Sequence, residues 1–221
     1  MAKDSTARKL DPLELVVGAR EVKFGGGEPP MPPVRPNRPL GANAWLAVIM
    51  FLGAEAMFFA GLIGAFLVFR VGAAMWPPPF QPRLPVGVTG VNTVILLASA
   101  FTMHRALKAV RANDRRKLVR CLGVTVLLGT IFLIVQGYEW SQLLRFGLTV
   151  SSSVYGALFY TLIGCHGLHV FGALIWLLVV LWFARKGRYS RERLVGVETC
   201  AMYWTFVVAL WPVLYGLVYL Y

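Results

Sequence analysis

Gly164-Cys165-His166-Gly167-Leu168-His169-Val170-Phe171-Gly172 lies within an apolar run from Val154 to Ala184 that holds no acid, lysine or arginine. A run of that length exceeds the roughly 20 residues that cross a bilayer as a helix. His166 and His169, three positions apart, are separated by about 60° around a helix and share one face. Gly164, Gly167 and Gly172 leave room for a neighbouring helix to approach. Polar side chains at membrane depth need partners, so other intramembrane polar groups are expected to meet this face.

Working outward, four more apolar stretches appear: Ala44 to Phe69, Val88 to Leu107, Leu118 to Tyr138 and Val195 to Tyr221. The chain has 221 residues, of which 57% are hydrophobic and 14% charged. Five nearly continuous apolar runs predict an all-α integral membrane bundle of five transmembrane helices at residues 41–221. The second and third runs are short and call for snorkelling arginines at their ends. Residues 1–40 are polar, with Gly25-Gly26-Gly27 and prolines at 29, 30, 32, 33 and 36, and read as an extended arm without a signal-peptide core.

The net charge of +12 is unevenly placed. Lysine and arginine concentrate in the N-terminal tail, at Arg105 to Arg120 and at Arg185 to Arg193, while the alternate connections hold only Arg70, Arg83 and Arg145. This alternation puts the N-terminus in the cytoplasm and the C-terminus outside, in the periplasm of a bacterium. The basic connections thus read as orientation signals and anionic-lipid contacts rather than a nucleic-acid surface, with Arg105, Arg115, Arg185 and Arg188 as candidate headgroup ligands. Cys121, Cys165 and Cys200 have no metal-motif spacing and read as buried thiols.

The first span carries Gly53-Ala54-Glu55-Ala56-Met57-Phe58-Phe59-Ala60-Gly61, and Glu55 lies about 18 Å from its inner end. An intramembrane carboxylate is a candidate proton-handling group, the alternative being an acid that only fixes packing. Ala56, Ala60 and Gly64 form a small-residue ridge suited to packing. The depths of Glu55, His166, His169 and Glu198 suggest that they converge in the inner half. Such a cluster could share protons, bind a metal or do neither. No Glu-x-x-His occurs, and two histidines on one side of one helix suit haem poorly, so no metal or cofactor is expected in this chain. Gln136 and Glu139 share a face at i, i+3, at the outer end where water can reach, and read as an interfacial anchor. His104, at the basic end, reads as solvated or lipid-facing.

Several motifs in order resemble subunit III of the haem-copper terminal oxidases, in the short five-helix bacterial form. They are Ala54-Glu55-Ala56-Met57-Phe58-Phe59-Ala60-Gly61-Leu62, Trp76-Pro77-Pro78, Asn92-Thr93, Gln136 with Glu139-Trp140, Val154-Tyr155-Gly156 leading to His166-Gly167-Leu168-His169-Val170, and Glu198 with Tyr203-Trp204. The likeness covers about Asn43 to Tyr221. It departs from the family at Thr205 and Val208, where a histidine and an aspartate are usual; roles resting on those two residues do not carry over, and the departure points to a divergent branch. The resemblance implies a subunit without redox cofactors or an active site of its own, in a bacterial inner membrane. It would pack on a catalytic subunit I that holds the haems and copper, bind phospholipid in a cleft, support proton uptake and protect the oxidase during turnover. Glu55 would be the carboxylate at that cleft. An accessory subunit of a nitric-oxide-reductase type complex and a small proton-coupled transporter are the alternatives.

Overall fold

α1 spans Leu40–Gly72, α2 Val86–Arg111, α3 Arg115–Arg145, α4 Val154–Arg185 and α5 Val195–Tyr215, the last followed by a π-helical turn at Gly216–Leu220. The computed structural model describes residues 40–76 and 85–220. The expected N-terminal arm and most of the proline-rich loop at Trp76-Pro77-Pro78 lie outside them. Each of the five helices is long and apolar enough to cross a membrane. At about 1.5 Å per residue, the 33 residues of α1 exceed the roughly 30 Å hydrocarbon core.

α2 and α3 are 26 and 31 residues long, so neither is short. The apolar runs stop early because both helices continue through their basic ends. The same charges that end an apolar window are good helix formers and suit the membrane interface.

The helix ends carry local stop and start signals. Asp114 accepts a hydrogen bond from the Lys117 N–H at the start of α3, and Ser153 does the same for Gly156 at the start of α4. Gly147 and Gly187 follow α3 and α4 with φ of 90° and 72°, where a Cβ would be strained. Asn113 takes φ 56° in the three-residue link between α2 and α3, which holds those helices antiparallel and close.

α2, α3, α4 and α5 form a four-helix ring in which each packs on two neighbours, and α1 leans on α4 and α5. The ring is filled by Trp204, Trp211, Phe132, Phe159, Leu96 and Met103, all fully buried. Two α5 indoles reach across to α2: Trp204 Nε1 donates to Ser99 Oγ at 3.1 Å, and Trp211 Nε1 donates to Thr93 Oγ1 at 2.8 Å. Asn92 Nδ2 ties α2 to the Phe132 carbonyl of α3 at 3.1 Å. Without water, such groups must be satisfied inside the bundle, and these bonds fix the helix register.

The glycines divide. A Cβ on Gly167 would meet the Trp140 ring at 2.9 Å and one on Gly129 would meet Trp204 at 2.5 Å, so α3 approaches α4 and α5 closely there. Gly164 and Gly172 face open space, and so does Gly64 of the expected α1 ridge. Ala56 and Ala60 are exposed. That ridge therefore packs on nothing within the described residues, and α1 presents most of its surface outward.

Candidate functional site

Glu55 sits near the middle of α1, and α4 brings His169 to it. His169 Nε2 lies 2.8 Å from Glu55 Oε2, with side-chain exposures of 21% and 15%. On the other side of the ring, Nδ1 lies 2.6 Å from the Cys165 carbonyl, one helical turn back. A carbonyl only accepts, so Nδ1 carries a hydrogen and the ring orientation is set. The Nε2 to Oε2 approach is close but not an aligned hydrogen bond, and Oε2 has no other partner among the described residues. Two lone pairs at this distance would repel. The approach is favourable with a proton in the pair, as imidazolium beside carboxylate or imidazole beside carboxylic acid. Phe59 stands edge-on to His169 at 5.0 Å and Phe58 stacks at 6.1 Å, so the Phe-Phe pair of α1 walls the site.

The two histidines share a helix face, yet their surroundings differ. His166 is 1% exposed and stacks on Trp211 at 5.1 Å with 24° between the planes. Neither of its ring nitrogens has a hydrogen-bond partner among the described residues. It points into the aromatic core of the ring, whereas His169 points to the α1 groove.

Glu198 does not join the expected cluster. It lies in the first turn of α5, and Arg111 Nη2 of α2 binds its Oε1 at 2.9 Å. An acid in a helix's first turn is favoured by the helix dipole, and a basic residue at the neighbouring helix end completes the pair. Depth counted along the chain places Glu198 near His169; the Arg111 partner shows it belongs to the basic end.

Gln136 and Glu139 also depart from expectation. They are 3% and 4% exposed and do not form an interfacial anchor. Glu139 Oε2 lies 2.9 Å from Thr89 Oγ1 and accepts from Gln136 Nε2 at 3.2 Å. Gln136 Nε2 also donates to Tyr219 Oη at 3.3 Å. The π-helical turn places Tyr219 there, inside rather than outside the bundle, after Pro212 has removed a backbone donor from α5. Water is shut out because three elements close over the pair.

At the basic end, two grooves of about 850 and 670 Å³ flank the α2–α3 link. Arg115, Arg116, Arg120 and Arg185 line the larger, and Arg105 with Lys117 joins the smaller. Arg115 donates to the Arg185 carbonyl, capping α4. Arg188 stacks over Phe183 at 4.9 Å. His104 is exposed, as expected. Cys200 is buried, while Cys121 and Cys165 are partly exposed. Among the described residues, no three His, Cys, Asp or Glu side chains stand together as a metal site. At the two unusual positions, Thr205 is exposed and Val208 is buried in apolar surroundings.

Sequence reasoning missed Thr89, Tyr219, Arg111 and Trp211 as partners of the singled-out residues. Thr89 and Tyr219 stand 50 and 80 positions from Glu139, and no spacing rule reaches that far. A basic residue at the end of α2 opposite Glu198 was the one available signal.

Five apolar helices with a half-buried carboxylate–imidazole pair define a multi-pass helical membrane protein. A model of the family cytochrome c oxidase subunit III matches residues 40–221. The chain belongs to that family. It is 44% identical to cytochrome c oxidase subunit 3 of Synechocystis sp. over 174 residues, 78% of this chain and 73% of that one. It is 34% identical to cytochrome c oxidase subunit 3 of Thermostichus vulcanus over 79% of this chain and 86% of that one. A probable cytochrome c oxidase subunit 3 of Nocardia farcinica is 35% identical over 83% of this chain and 89% of that one.

Proposed function

We propose that this chain is a non-catalytic accessory subunit of a respiratory haem-copper oxidase, and that the Glu55–His169 pair holds a proton which it contributes to uptake by the catalytic subunit. Family membership supports the first part. The second is carried by one observation: a carboxyl and an imidazole 2.8 Å apart at mid-bundle, partly open on the side where α1 has no further neighbour among the described residues. With one proton the pair carries no net charge in lipid, where a net charge would cost several kcal/mol or more, so a proton it releases has to be replaced in step with the release. The basic end faces the cytoplasm in this reading. The cations of the two grooves, together with Arg188, hold phospholipid phosphates, and the haems and copper reside in the partner.

Purification through a tag on this chain, in gentle detergent, tests the assignment. A large partner with haem and copper bands is expected; a colourless chain emerging alone would overturn it. In the purified complex, Glu55→Gln is expected to assemble normally and to slow proton uptake during turnover. Uptake at the parent rate would refute the role given to the pair.

A further inference from the structure

Glu139 belongs to neither the proton pair nor the basic end, and its surroundings do not suit an anion. It is 4% exposed, and among the described residues no lysine, arginine or histidine pairs with it. A carboxylate offers about four acceptor positions. The donors present can be counted. Gln136 Nε2 has two hydrogens, one on Glu139 Oε2 and one on Tyr219 Oη. Its Oε1 has no partner among the described residues, so the amide has nothing more to give.

The remaining neighbour is Thr89 Oγ1, which lies 2.9 Å from Glu139 Oε2 and 3.1 Å from Oε1. It also lies 2.9 Å from the carbonyl of Pro85, the residue that caps the start of α2. A hydroxyl carries one hydrogen. Without a proton on Glu139 both neighbours can only accept, so the one hydrogen serves either Pro85 O or Glu139 and leaves the other contact as two oxygens facing each other at 2.9 Å. A proton on Glu139 removes the conflict.

We propose that Glu139 is a second resident-proton site, a neutral carboxylic acid within the bundle. Its O–H donates to Thr89 Oγ1, Thr89 donates to Pro85 O, and Glu139 accepts from Gln136. The hydroxyl hydrogens of Glu139 and Thr89 and both Gln136 amide hydrogens then each have an acceptor, and no uncompensated charge is buried. The titratable group facing it is Tyr219 of the π-helical turn; beyond that stand Tyr155 of α4, against Tyr219, and Arg70 of α1, which donates to the Leu217 carbonyl, and Arg145 lies in the last turn of its own helix. The ligand of the site is a proton, and its position at the end away from the basic loops separates it from Glu55. It does not depend on the role proposed for Glu55.

Infrared spectroscopy of the purified complex at neutral pH tests this, comparing the parent with Glu139→Gln and with Thr89→Val. A carboxylic-acid C=O band is expected in the parent, absent from Glu139→Gln, and moved to higher frequency in Thr89→Val because the acid loses its acceptor. A Glu55→Gln complex should keep that band. Loss of only a carboxylate band in Glu139→Gln would overturn the proposal. If Glu139→Gln fails to assemble, Thr89→Val decides: an acid region identical to the parent would overturn it.

Discussion

Gly129→Ala tests how tightly the four-helix ring is packed. A Cβ at this position would lie 2.5 Å from Trp204 Cη2, 3.0 Å from Cζ2 and 3.4 Å from Leu174 Cδ1. Carbon atoms in good contact stand about 3.5–4.0 Å apart, so the indole must retreat by about 1 Å. It is fully buried and has no open side. Overpacking of this kind costs about 1–3 kcal/mol. The retreat also strains the Trp204 Nε1 bond to Ser99 Oγ, a term of about 1 kcal/mol. Replacing glycine in a helix returns about 0.5–1 kcal/mol. The net expectation is a loss of about 2 kcal/mol, on the order of thirty-fold in the folded-to-unfolded ratio. The assay is unfolding of the detergent-solubilised protein against added SDS, followed by tryptophan fluorescence. Gly64→Ala is the control, because a Cβ there meets nothing within 4 Å. A Gly129→Ala protein as stable as the parent, or equal to the Gly64→Ala control, would refute the packing argument.

Two smaller effects follow from the basic end. Arg111→Ala is expected to change stability by no more than about 0.5 kcal/mol in the same assay, because the Arg111 side chain is 61% exposed and solvent screens its pair with Glu198. Tyr189 lies outside the spans, and burial pushes its hydroxyl above the ordinary tyrosine value of 10.0. The folded state therefore keeps its proton after the unfolded chain has begun to lose it. This contribution is complete below about pH 10 and is lost as pH rises through the folded value. Tyr189→Phe is expected to lessen the alkaline loss of stability in a pH series of unfolding midpoints; an unchanged series would remove Tyr189 from the account.

The apolar runs alone determined five membrane helices, because a bilayer selects helix length and apolarity residue by residue and needs no knowledge of neighbours. The i, i+3 spacing put His166 and His169 on one helix face, and the charge asymmetry assigned the orientation by the same kind of local rule. The ordered motifs from Glu55 to Trp204 carried the family. Tertiary structure alone decided which polar groups meet. It paired Glu55 with His169 but sent His166 against Trp211 and Glu198 to Arg111. It buried Gln136 and Glu139 beneath Thr89 and Tyr219, where position along the chain suggested water. Depth along a span fixes one coordinate of a side chain. The direction it faces depends on how the helices rotate and cross, and that is set by where Trp204, Trp211 and the small glycines let them touch.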